Sequence, residues 1–384
     1  MNALSPQQVA RISAYVYRLE NNSVSKLYSI GETLGCEGMF KVSDDARFIG
    51  KTGGHLYNRL SGFGYIAEGE GVYQGEVLIA IRGTSPTQAR DWLTDARAGF
   101  CRGESGHPVH IGFQSTWESF AGDVRAFLSG RNPSHIHCVG HSLGGALATL
   151  CADYCVANRA GLVTLYTIGA PRAGMEGFSN GLTEKMGAEN IFRISHAADP
   201  VTTVPIFPFC HVPYQKRNYV VGGTGLILNP WAHTMPSYTK AIGQASWSSL
   251  QDRSSPIVAD EVKRWLETVA AGGGITAFAA DSLAMIGKVL GWILEQEYKN
   301  WGVECANYYT ALDHLAHMIV RGAQFTKLAE EQLKTVMNAI LRFIGRSAVT
   351  IAELTLAFVQ YVLELFYGAI RTIAAQALRG TGQG

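Results

Sequence analysis

Hydrophobic positions change their spacing twice along this 384-residue chain. Residues 5–19 open with Ser5 and Pro6, an N-cap followed by a proline at the first helical position, and then place Val9, Ile12, Val16 and Leu19 on one helical face. From about residue 65 to 242 the pattern alternates. Residues 77–81, 136–139, 163–168 and 191–194 are short β-rich apolar runs, while 114–128 and 146–157 have helical periodicity. Strands that are apolar throughout, separated by helices, predict a mostly parallel sheet covered on both faces.

Beyond residue 255 the strand runs stop and long apolar-periodic helices follow, broken at Ala271-Gly272-Gly273-Gly274 and near Gly345-Arg346-Ser347. Phe325, Leu328, Val336, Ile340 and Ile344 are expected on one helical face. The pattern therefore predicts two domains, an α/β domain over 1–254 and a helical module over 255–384. The final helix is expected over 349–378. It is apolar on more than one side, but Glu353, Glu364 and Arg371 interrupt it, so it is expected to fall short of a membrane span of about 20 residues. A buried bundle helix and a lipid- or partner-binding hairpin are the two readings of it.

Composition narrows the functional classes. With 47% hydrophobic residues the chain can bury a large core, and a net charge of +1 from 32 basic and 31 acidic residues leaves no polybasic footprint for nucleic acid. Seven cysteines without a close CxxC pair fit a reduced compartment, with thiols acting as small core side chains. Cys151 and Cys155 stand four apart, but further ligands are not evident near them in sequence. No metal and no cofactor are expected. Residues 1–19 lack a basic region followed by an apolar core, which predicts a cytoplasmic location in the producing cell.

The chemistry centres on Gly140-His141-Ser142-Leu143-Gly144-Gly145, which sits between a predicted strand and a predicted helix. A strand that turns sharply into a helix crowds the backbone around the serine, and glycines two residues to either side relieve that crowding. Ser142 is then an exposed nucleophile, and the Leu143 amide at the helix start points to where an oxyanion develops. A serine hydroxyl needs a base, and the base needs an acid. Asp199, after the strand-like 191–194 and before Pro200, is the candidate acid; His233 is the candidate base, with His211 in reserve.

These blocks stand in the order of a known family. Ile81-Arg82-Gly83-Thr84, Asp91-Trp92-Leu93-Thr94-Asp95, Val109-His110-Ile111-Gly112-Phe113, the Ser142 elbow, Thr167-Ile168-Gly169-Ala170-Pro171-Arg172-Ala173-Gly174, Asp199-Pro200-Val201, and His233 with Tyr238 behind it resemble the class 3 lipases. That resemblance implies an α/β-hydrolase core, a Ser142-His233-Asp199 triad, and Thr84 with Leu143 as oxyanion hole. His141 is expected to be structural, and Asp91 with Asp95 a solvated charge pair. The resemblance also places a lid over roughly 85–108, with Trp92 and Phe100 as its apolar residues. Phe207, Phe209, Leu228 and Trp231 are expected, with Trp92, to line an acyl groove. The implied activity is hydrolysis of lipid esters, phospholipid or neutral glyceride, through an acyl-enzyme. Lipases similar to this class also occur among bacterial toxins delivered into rival cells by secretion machines. On that resemblance an immunity or chaperone protein joins membrane lipid as an expected partner. The helical tail as a partner- or membrane-binding module, and a non-lipid esterase on the same scaffold, are the alternatives.

Overall fold

The computed structural model describes residues 3–19, 35–52, 59–83, 99–223, 226–254, 256–298 and 310–380; Thr84, Asp91, Trp92, Asp95 and Cys305 lie outside them. In chain order the strands are β1 (Phe40–Thr52), β2 (Arg59–Gly69), β3 (Glu76–Ile81), β4 (Phe100–Arg102), β5 (Pro108–His110), β6 (His135–His141), β7 (Leu162–Ile168), β8 (Gly174–Met175), β9 (Ile191–His196), β10 (Phe209–Cys210), β11 (Tyr219–Val221) and β12 (Gln251–Asp252). The main sheet has the order β1-β2-β3-β6-β7-β9-β11-β12. Its five central members, β3, β6, β7, β9 and β11, run parallel, and the edges are antiparallel. A parallel sheet must be covered on both faces, and β6 is accordingly buried at every position. The architecture is that of an α/β-hydrolase.

Two apolar layers cover this sheet. On one face α1 (Pro6–Tyr15), capped by Ser5 and Gln8 in a reciprocal capping box, packs Val9 and Ile12 with Leu78, Ala80, Val139 and Tyr166. On the other, α2 (Ile111–Leu128) and α3 (Leu143–Ala157) pack against Ile79, Ile81, Ile136 and Cys138. A smaller four-stranded sheet, β10-β8-β5-β4, flanks the second layer together with α4 (Glu176–Met186), and α5 (Met235–Ile242) lies beside α1. Phe100, expected in a mobile cover, instead begins β4 and is buried with Met175, Phe209 and Ala311.

The tail contributes α6 (Ala259–Ala270), α7 (Ala280–Tyr298), α8 (Ala311–Ala323), α9 (Lys327–Phe343) and α10 (Leu356–Gly380). Its apolar faces join the second layer without a break: the cluster that holds Ile136 and Leu165 continues through Val201 and Leu228 to Leu290, Leu315, Ile340 and Phe366. Two expectations about the tail are corrected. Phe325 and Leu328 are 53% and 68% exposed, because Thr326 caps α9 and leaves Phe325 in the preceding turn and Leu328 on the solvent side of the first turn. Leu333, Val336, Met337 and Ile340 form the buried face instead. The last helix starts at Leu356, so Glu353 lies outside it, and Leu356–Arg379 is long and apolar enough by length and composition to cross a membrane. Here, however, it lies against protein, with Val359, Val362, Leu363, Phe366 and Ile370 buried.

A shared core makes a specific energetic demand. Phe366 is buried with its ring edge on Phe343, and its truncation to alanine is expected to cost about 3–5 kcal/mol. Chemical denaturation of Phe366→Ala measures this; an effect under about 1 kcal/mol would show that α10 is not part of the core.

Candidate active site

The nucleophile is placed by backbone crowding. Ser142 follows β6 and caps α3 with φ 57° and ψ −134°, a left-handed conformation that L-residues adopt only when their surroundings impose it. The surroundings do impose it. A Cβ on Gly140 would lie 2.2 Å from the Gly144 carbonyl oxygen, and one on Gly144 would lie 2.2 Å from that of Ile81. Such gaps close only when both positions lack side chains, so β6, α3 and the end of β3 are in direct backbone contact. The Ser142 amide donates to Ile168 O at 2.9 Å, tying the turn to β7. Leu143 is the first residue of α3, and its N–H is one of those that a helix start leaves unpaired. Gly83 approaches from β3, where a Cβ would sit 3.1 Å from Ser142 Cβ. The next residue, Thr84, lies outside the described residues.

Asp199 and His233 meet the serine in a line. Asp199 follows β9, and its Oδ1 accepts from Val201 N at 2.8 Å, which starts the 3-10 turn Val201–Thr203. His233 ends the 3-10 turn Pro230–His233, capped by Asn229, and Thr234 then caps α5. His233 Nδ1 donates to Asp199 Oδ2 at 2.8 Å, and Ser142 Oγ donates to His233 Nε2 at 2.8 Å. A carboxylate only accepts, so the Nδ1 proton fixes the tautomer and leaves Nε2 free to take the serine proton. Ser142, His233 and Asp199 are all buried, Ser142 being 2% exposed.

Burial alone would push the Asp199 carboxyl up, but His233, the Tyr238 hydroxyl and the Val201 amide outweigh it and hold it below the ordinary carboxylate range. Three hydrogen bonds to a charged acceptor, each worth roughly 1.5–3 kcal/mol, are of the size needed to offset that burial. Tyr238 donates to Asp199 Oδ2 at 2.7 Å and accepts from His196 N at 2.9 Å. It reaches the acid because α5 starts two residues after His233, so one turn-helix unit supplies both the base and a brace for the acid.

His141 has a structural position. Its Nε2 donates to His233 O at 3.0 Å and its Nδ1 accepts from the Tyr17 hydroxyl at 2.8 Å, while its ring stacks on that of His233. Burial and the neighbouring His233 push it down to about 3, so it stays neutral. Tyr17 was not foreseen, and nothing in its sequence neighbourhood marks it. The tail also reaches this site. Leu228 N donates to Phe278 O at 2.9 Å, Ala280 N to Leu226 O at 3.0 Å, and α10 packs on the turn that carries His233. Asn229 N donates to Ala198 O at 2.8 Å, so the base loop and the acid loop are joined to each other as well.

The remaining expected residues scatter. His211 donates from Nε2 to Thr202 O at 2.8 Å and lies outside the triad. Phe207 and Phe209, expected along an acyl groove, line a cavity of about 200 Å³ with Arg172, Arg193 and His211, and no triad residue shares that wall. The cause is the β10–β8 pairing, which turns Phe209 toward Phe100 and Met175. Leu228 is buried in the shared core, and Trp231, beside the base, is 65% exposed. Trp92 lies outside the described residues.

The family described as Lipase (class 3) matches residues 78–209, which hold the elbow, the acid and the β3 end that faces them. Over this span the chain is similar to the class 3 lipases. The chain is 36% identical over 155 residues to secreted mono- and diacylglycerol lipase 1 of Fusarium solani, covering 38% of this chain and 45% of the relative. It is 30% identical over 190 residues to a chloroplastic phospholipase A1 of Arabidopsis thaliana, covering 41% of each. The chain thus spans about half the length, or less, of these curated relatives. The solved lipase of Rhizopus microsporus var. chinensis is 18% identical, with a TM-score of 0.44 over 74% of this chain and 83% of that one.

Two outcomes follow from the Asp199 environment. Asp199→Asn leaves His233 without its tautomer-fixing acceptor and is expected to lower kcat by about 10⁴-fold, whereas Tyr238→Phe, which removes one of the three bonds to Asp199 and the acceptor of His196 N, is expected to cost about 1–3 kcal/mol of stability. The lowered carboxyl contributes stability that is full above its unfolded value of about 3.9 and is lost as pH falls through its folded value. The stability gap between wild type and Asp199→Asn, measured by urea denaturation, is therefore expected to narrow progressively below about pH 4.

Proposed function

We propose that this protein hydrolyses the acyl esters of glycerolipids through a covalent acyl-serine. The observation that carries the reading is the unbroken Ser142–His233–Asp199 chain at 2.8 Å per link. Ser142 Oγ attacks the ester carbonyl carbon while its proton passes to His233 Nε2; the oxyanion forms beside the Leu143 amide, and the alcohol leaves with the proton returned by His233. Water then enters by the same route and releases the fatty acid. The family relation and the two kinds of relative, one named for mono- and diacylglycerol and one for phospholipid, support this substrate range.

Within that range we favour phospholipid, on the likeness of Asp91-Trp92-Leu93-Thr94-Asp95 to the phospholipase-like branch. Fatty-acid release from phospholipid vesicles and from a diacylglycerol emulsion decides it: release is expected from both, faster from vesicles, and lost in Ser142→Ala. Equal release by wild type and Ser142→Ala would overturn the mechanism. Full activity on short soluble esters with none on long acyl chains would place the enzyme among non-lipid esterases. The reading of the chain as a delivered toxin makes a separate demand, namely growth arrest on export to the periplasm of a test bacterium that Ser142→Ala abolishes.

A further inference from the structure

The opposite end of the nucleophile strand carries a second polar constellation that ester hydrolysis does not use. β6 begins His135-Ile136-His137, and alternation along the strand puts both imidazoles on the α1 face. The parallel register sets Glu76, the first residue of β3, directly beside His135. Glu76 Oε2 lies 2.6 Å from His137 Nε2 and 3.6 Å from His135 Nδ1, and the three candidate donor atoms all fall within 4.8 Å of one another.

Each imidazole is held from behind. His135 Nε2 bonds Thr164 Oγ1 at 2.7 Å, and His137 Nδ1 faces the Tyr166 hydroxyl at 3.4 Å, both partners lying on the same face of β7. Orienting partners on the far nitrogen are what metal-binding histidines carry. The rings of Phe40 and Tyr73 wall the site around His137. Three ionisable groups placed where a parallel sheet normally buries aliphatic side chains are costly unless their charges and lone pairs are used.

We propose that Glu76, His135 and His137 bind one divalent transition-metal ion of the zinc class, with a fourth position left to solvent. Bond lengths of about 2.0–2.2 Å in a tetrahedral site separate donor atoms by about 3.4 Å; the 3.6 Å between Glu76 and His135 is near that spacing, and the 2.6 Å between Glu76 and His137 has to open. His137 is sealed and Glu76 is partly open, which gives the ion a way in at the carboxylate. The ion would bridge β3 and β6, with β7 supporting it from behind. Seven residues of extended strand set it about 20 Å from Ser142, too far to touch the ester.

A rival set lies on the other face of β6, where Cys138, Cys151 and Cys155 gather, with Cys138 and Cys151 sulfurs 3.9 Å apart. That pocket is sealed in apolar core on every side, with all three cysteines buried. The carboxylate–imidazole set differs in being partly open at Glu76.

The test uses full-length protein dialysed free of metal and titrated with Co(II) and then Zn(II). One equivalent is expected to bind, giving the visible bands of tetrahedral Co(II) without sulfur-to-metal charge transfer, and Zn(II) is expected to raise Tm. His137→Ala and Glu76→Gln are expected to lose binding by at least 100-fold, and Thr164→Val, which keeps every ligand, by about 10–100-fold. Thr164→Val keeps the test informative if a ligand variant fails to fold. Ester hydrolysis by Thr164→Val is expected to match wild type. Absence of stoichiometric binding by folded wild type overturns the proposal, as does binding unchanged in Glu76→Gln. A charge-transfer band that vanishes in Cys151→Ala also overturns it, by moving the metal to the thiols.

Discussion

The structure depends most on the contact of three backbones at Ser142. A strand that stops and a helix that starts within two residues can pass only if nothing projects between them, and a Cβ on Gly140 or Gly144 would stand 2.2 Å from a backbone carbonyl oxygen. That contact forces Ser142 to a φ of 57°, with its hydroxyl on His233 Nε2. It also brings Gly83 and the end of β3 against the serine. The nucleophile is thus held by packing that resists deformation rather than by side-chain bonds that could rearrange.

The base and acid need a different kind of support, because both sit on irregular segments. Asp199 is a buried charge, and it is tolerable only while His233, Tyr238 and the Val201 amide all point at it. Two of those three donors come from the single unit 233–238. Losing the position of that unit would strand the carboxylate and remove the base together. The unit is in turn held by the tail, through the backbone pairing of 226–228 with 278–280 and the seating of α10 on the His233 turn. The tail helices among the described residues therefore help set the geometry of the base loop.

How far the sequence could be read follows from the range of each interaction. Ser142 is legible because glycine spacing, strand and helix are local, and Asp199 and His233 because they recur in a fixed order after it. Tyr238 is legible for the same reason, lying five residues from the base. Tyr17 is not, since its bond to His141 spans 124 residues and depends on how α1 docks. Phe207 and Phe209 were expected beside the substrate because apolar residues after an acid suit a groove; the β10–β8 pairing, which propensity does not encode, takes them elsewhere. Leu328 fits a helical face by spacing, but the cap at Thr326 sets the phase of α9 and turns that position outward.

The same limit of range accounts for the cluster at Glu76. A His-x-His pair in a strand reads as two core positions, and the glutamate lies 59 residues earlier than the first of them; only the parallel register of β3 on β6 brings the three together. β6 then has a distinct chemistry at each end. At its start two imidazoles face a carboxylate with hydrogen-bonding support from β7, and at its finish one imidazole, His141, is spent on holding the loop that carries another, His233. The middle of the strand, Ile136, Cys138 and Val139, is apolar and fully enclosed. A rigid strand of this kind separates the two ends electrostatically while joining them mechanically. Whatever fixes the register of β3 against β6 at Glu76 also fixes where Gly83 meets Ser142, since both contacts belong to the same pair of strands.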